Sequence, residues 1–311
     1  MHPTRRTLLP LLTAFCVAAW PAAARADRVT LRPVADATLF ESAPNDNMGG
    51  WTHVAAGTTG SQADRTRNRG LFRFDLAAGV PAGARITNVI LTLKVVGVPG
   101  NTGGGGPINS VFALHRLLLP WAEGDKLGDR GFPADPGEVT WNARFAPDQL
   151  WTAPGGAAGD DFQAAASATA LVAGKGGYQF GPTPALIADA QLWLDTPARN
   201  FGWMFLSQSE PSPKTARRFA SREDPDNAPL LLVEYASAPT LRLESARVVT
   251  NRFHFQFTAP AGQGCTVEFT DELAPAQWLT LTNVPPPSAD TSVEISDTLA
   301  ARRRVFRLRS P

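Results

Sequence analysis

Ala84-Arg85-Ile86-Thr87-Asn88-Val89-Ile90-Leu91-Thr92-Leu93-Lys94-Val95 decides the fold class. Ile, Thr and Val recur along it, and branching at Cβ suits a pleated strand while it crowds a helix. Upstream, Gly70-Leu71-Phe72-Arg73-Phe74-Asp75-Leu76 alternates, with Leu71 or Phe72 and Phe74 expected to face away from Arg73 and Asp75. Val29–Val34 opens the same region as a strand, and Val111–Leu117, Phe201–Leu206 and Pro229–Tyr235 continue it. Gly, Pro and Asn punctuate the intervals, as turns between short strands require.

One segment breaks the pattern. Thr183 can cap a helix and Pro184 fits its first position, where no N–H is needed. Leu186, Ile187, Ala190, Trp193 and Leu194 then recur at helical spacing, and Pro197 stops the helix. Tyr235–Pro239 reads as a linker at the end of a first domain, residues 27–237. Residues 238–311 hold about six further strands, a size that suits a small immunoglobulin-like sandwich. Gly100–Gly106 is a flexible loop, not a phosphate cradle, because no Lys-Ser/Thr and helix follow it.

The composition agrees. With 27 Gly, 27 Pro, 43% hydrophobic and 18% charged residues, the chain is globular and rich in turns. A net charge of +1 gives no field directed at nucleic acid. Residues His2–Arg6 carry positive charge, Leu8–Trp20 are apolar, and Ala24-Arg25-Ala26 ends the run with small residues. That order describes a secretory signal peptide cleaved after Ala26, too short to span a membrane, with Arg5-Arg6 also fitting twin-arginine export. The exported chain would be periplasmic, secreted or surface-bound, and its oligomeric state is open. Cys16 leaves with the signal, so Cys265 is alone and makes no internal disulfide.

Candidate chemistry is sparse. There is no G-x-S-x-G elbow and no His-Glu-x-x-His pair. Glycoside hydrolysis needs two carboxylates about 5 to 9.5 Å apart, and Asp160-Asp161 and Glu223-Asp224 supply candidates, though adjacent acids in a turn are usually just solvated. Asp36, followed by Asn45-Asp46-Asn47 in a turn, supplies oxygen ligands for a structural calcium ion. Arginines gather at Arg65, Arg67, Arg69 and Arg73 and again at Arg217, Arg218 and Arg222. Their guanidinium forks match carboxylates and sulfates, and Trp51, Trp141, Trp151 and Trp203 offer flat faces for sugar rings or for the core. Trp51, His53, Arg65, Arg67, Arg73, Trp151, Arg217 and Arg222 form the candidate ligand set.

Several stretches occur in a specific order. They are Ala35-Asp36-Ala37-Thr38-Leu39, Arg69–Leu76 with Pro81–Thr87, Ala113–Leu117 with Trp121-Ala122-Glu123-Gly124, Glu138–Arg144, Trp151 with Pro154-Gly155-Gly156, Asn200–Trp203 and Arg218–Glu223. Over residues 28–236 they resemble the DNRLRE domain, also classed as carbohydrate-binding module family 96. The resemblance implies a jelly-roll-like β-sandwich that binds polysaccharide, often an acidic one such as alginate. Cys265–Asp271, Trp278 and Val305–Arg309 resemble small Ig-like repeats of exported bacterial proteins. The expectation is an all-β chain: a jelly-roll-like sandwich with one short helix, then an Ig-like sandwich. Its expected role is non-catalytic binding of an acidic glycan. The alternatives are a structural surface or matrix protein, and a polysaccharide lyase or hydrolase using His53, His115 or Tyr178 beside an arginine.

Overall fold

The computed structural model describes residues 27–100, 107–237, 241, 243–298 and 304–309. The signal segment, most of the glycine run at 100–106, much of the linker, and Arg302-Arg303 lie outside them. The chain is all-β and divides between Ala236 and Ser237 into two compact units. No helix among the described residues is long and apolar enough to cross a membrane.

The first unit is one curled antiparallel sheet. Its path runs Asp27–Leu31, Leu230–Ala236, Arg85–Gly97, Arg217–Ala220, His53–Thr58, Arg67–Phe74, Trp203–Ser207, Ser110–Arg116 and Ala168–Val172. Pro33–Phe40 joins beside Arg67–Phe74, and Gly176–Phe180 beside Arg85–Gly97. The expected opening strand is two strands, parted at Arg32.

His53–Thr58 is the corner. It pairs with Arg217–Ala220 along its length but meets Arg67–Phe74 only through Gly57 and Thr58. Gly57 has φ +98°, and a Cβ there would lie 2.7 Å from the Thr215 carbonyl oxygen, so the turn needs glycine.

Curling lets both halves fill one core. Leu91, Leu93 and Val95 from the long strand meet Phe72, Phe74, Phe112, Trp203, Phe205 and Phe219. Phe205 touches Phe72, Phe112, Phe180 and Phe219, with ring centroids 4.8–5.9 Å apart. The helix Pro184–Asp195 closes this core with Leu186, Ala190, Trp193 and Leu194. Thr183 caps it as expected, its hydroxyl accepting from the Leu186 N–H at 3.1 Å. Asp189 is buried on the same face and bound to Arg116, Ser167 and the Trp203 indole N–H.

A second core lies on the other face of Pro33–Phe40, Arg67–Phe74 and Trp203–Ser207. Leu39, Leu71 and Met204 there meet Trp121, Val139, Trp141, Trp151 and Phe162. The last five come from the long excursion over residues 117–162, which wraps this face with little regular structure. Period-two alternation therefore puts Leu71 on the same face as Arg67, Arg69 and Arg73, and Phe72 and Phe74 on the other.

Among the described residues the second unit has six strands in two three-stranded sheets, Leu243–Val249, Arg252–Ala259 and Thr291–Thr298 in one, and Leu279–Val284, Cys265–Thr270 and Val305–Arg309 in the other. Phe255, Phe257, Val267 and Ile295 form its core, and Cys265 is buried among them, its thiol pushed up by burial. Arg304 pairs with Asp271 and Asp297 and lies 4.2 Å from the Phe269 ring centre.

Candidate functional site

Strand Arg67–Phe74 turns its arginines onto the tryptophans of the excursion. The Arg67 and Arg69 guanidinium carbons stand 5.2 and 5.6 Å from the Trp141 ring centre, and that of Arg73 stands 5.5 Å from Trp121. Arg67 also grips Glu41 through two nitrogens, and Arg69 grips Glu210 and the Gly155 and Gly156 carbonyls. Guanidinium over indole is favourable, the more so where water is excluded. The residue types chosen for glycan charges and sugar rings thus satisfy one another. Arg67 and Arg73, both partly exposed, each lie against a tryptophan of the second core.

Arg217 is corrected outright. It is 1% exposed, and its guanidinium donates to the carbonyls of Ala173, Lys214, Thr215, Ala216 and Ile108. Trp151 is 4% exposed and donates its indole N–H to the Thr140 carbonyl at 2.9 Å, so only its carbon edge is presented outward. Trp51 packs on Phe40, Met48 and Ala55, its indole N–H buried without an acceptor. His53 is also buried, 3.3 Å from Asp129, which in turn holds Arg218. Burial first, and Arg218 second, push the His53 imidazole down to about 4 against the pull of Asp129, so it is neutral at pH 7. Arg65 alone of the candidate arginines is exposed without a carboxylate partner, on a left-handed backbone with φ 54°.

Asp36, from the expected calcium set, is buried and groups with Glu123 and Glu223. Arg222 sits among those acids, 2.8 Å from Glu123 and 2.9 Å from Glu223, and its N–H donates to Asp36. Arg222 is therefore a lock between Asp36, the excursion and the loop after Arg217–Ala220. Burial, with Glu223 adding to it, holds the Asp36 carboxyl well above the usual range. Asn47 is consumed inside the fold: its amide donates to the Glu123 and Val139 carbonyls and accepts from the Gly49 N–H. Asp46 pairs with Pro133 across a two-residue ladder. A second acidic group, Asp125, Asp135 and Glu138, already surrounds the Lys126 ammonium at 2.5–3.2 Å.

One member of each adjacent acid pair is also committed. Asp161 is fully buried and accepts from Thr152 and the Ala157 N–H, while Asp224 caps the Asp226 and Asn227 N–H groups. His115 is buried on strand Ser110–Arg116, its ring nitrogen on the Gln163 carbonyl, and Tyr178 bonds the Gly174 carbonyl.

A cleft of about 650 Å³ opens where the excursion folds back past the 43–47 turn. Pro136, Pro147, Pro154, Leu150 and the edge of Trp151 make its apolar walls; Asn45, Thr140, Asn142 and Thr152 supply its polar groups. The volume is typical of a small-ligand site. Backbone ladders hold the rim: the Ala134 N–H donates to the Asn45 carbonyl and the Asn142 N–H to the Pro44 carbonyl, both at 3.1 Å. Of the candidate ligand set, only Trp151 reaches this cleft. Of the metal set, only Asn45 does. The prolines, threonines and asparagines at 134–154 went unselected because each is a common turn residue, and only their convergence in space makes a site.

No family model matches the chain, and no curated protein matches it.

Proposed function

We propose that the protein is an exported, non-catalytic polysaccharide-binding protein whose ligand site is the cleft between the 43–47 turn and residues 134–154. The observation that carries this reading is the cleft's lining, with amides and hydroxyls beside proline, leucine and indole surfaces. A pyranose ring has the same division, an apolar face and a rim of hydroxyls. Export rests on the charged, apolar and small-residue order of residues 2–26. The second unit serves as a spacer or partner contact.

Retention of the purified protein on a panel of immobilised polysaccharides, with chain length of the polymer followed in parallel, tests the reading. Retention without shortening is expected. Shortening would replace it with an enzyme, and no retention on any polymer would favour a structural surface protein.

A further inference from the structure

Building on the glycan-binding reading, we infer that the cleft takes an uncharged glycan, held by the Asn45–Asn142 amide pair through adjacent hydroxyls of one sugar. Among the lining residues there is no lysine, arginine or histidine. The nearest cation in sequence, Arg144, is not among them, and its guanidinium is engaged by the carbonyls of Leu150 and Pro120. No aspartate or glutamate lines the cleft either, and Asp135, next to Pro136, is already paired with Lys126. A polyanion would find no cation among the lining groups, whereas a neutral sugar needs none.

The polar capacity of the cleft is concentrated at one point. Thr140 Oγ1 already accepts the Asn142 and Ala143 N–H groups, and Thr152 Oγ1 already donates to Asp161 at 3.0 Å. The Trp151 N–H is committed to Thr140. Asn142 Nδ2 donates to Asn45 Oδ1 at 2.9 Å, which leaves an NH₂ on Asn45 and a C=O on Asn142. Turning both amides over exchanges these roles but still leaves one donor and one acceptor. A sugar hydroxyl donates and accepts, so two neighbouring hydroxyls match this pair, one giving a proton and the other receiving one. Both backbones are anchored to their neighbours, so little ordering is needed on binding. Leu150, 60% exposed, offers the apolar contact for the ring face.

The test is retention of the full protein on immobilised uncharged polysaccharides (glucans, mannans, galactans) and acidic ones (alginate, polygalacturonate) at low and moderate salt. Asn142→Ala and Leu150→Ser variants are run alongside. The expected result is retention on an uncharged polymer, unchanged by salt, and weakened about five- to tenfold by Asn142→Ala. Leu150→Ser, at an exposed position that leaves folding intact, weakens it too and serves alone if Asn142→Ala fails to fold. Retention on acidic polymers only, falling with salt, would overturn the uncharged-ligand inference and leave the glycan-binding reading in place. Retention on a neutral polymer indifferent to both variants would overturn the site. Failure on every polymer would overturn both.

Discussion

Arg217 shows how much a single buried guanidinium can organise. Its three nitrogens, in a fixed fork, satisfy carbonyls from three separated segments of the chain, at Ile108, Ala173 and Lys214–Ala216. Arg217→Met keeps the volume but leaves those acceptors unpaired. We expect a loss of about 3 kcal/mol in denaturant unfolding, with no change in glycan selectivity. His53 carries a different signature. Its folded value of about 4 lies below the ordinary 6.5, so the folded state prefers the neutral ring. Stability from this group is present above pH 6.5 and is lost as pH falls from 6.5 towards 4, where the folded ring also protonates. The loss should be about 3 kcal/mol, and His53→Gln should flatten the stability profile across that window.

At the scale of the element, the helix Pro184–Asp195 is the clearest case of local signals and packing agreeing. Thr183 accepts the Leu186 N–H, its hydroxyl also meets the Ser167 carbonyl, and Pro184 occupies a position whose N–H is not required. Thr183→Ala should cost about 1 kcal/mol and lower the melting temperature without altering binding. The helical spacing also read Leu186, Ala190, Trp193 and Leu194 as an inward face, which they are. It did not reveal Asp189 inside that face, because an acid is buried only where partners from other elements arrive, here Arg116, Ser167 and Trp203. Strand Arg67–Phe74 carries the same lesson. Alternation marks two faces, but both are covered, one by the phenylalanine core and one by the excursion with its tryptophans. Its arginines, expected to meet a ligand, stand against the rings of Trp121 and Trp141.

The whole molecule depends on the curl that brings the two halves of the long sheet over one core. Gly57 sits at the corner, and Gly57→Ala combines an unfavourable φ of +98° with a clash against Thr215. More than about 2 kcal/mol should be lost, read as a lower denaturant midpoint, and the cleft variants Asn142→Ala and Leu150→Ser should show no comparable change. The strands Arg67–Phe74, Arg85–Gly97, Ser110–Arg116, Trp203–Ser207 and Leu230–Ala236, and the helix Pro184–Asp195 with its cap and stop, are legible in the sequence. Those follow from periodicity, Cβ branching and turn chemistry, all of which act over a few residues. Only the tertiary structure decided which polar groups are available. Arg67, Arg73, Arg217, Arg222, Asp36 and Asn47 are engaged by partners far away in the chain, such as Glu123 for both Asp36 and Arg222. Asn45 and Asn142, about a hundred residues apart, become a site through one hydrogen bond. A buried or paired group is chemically unlike the same residue in solvent, and pairing across such distances is a property of the folded chain alone.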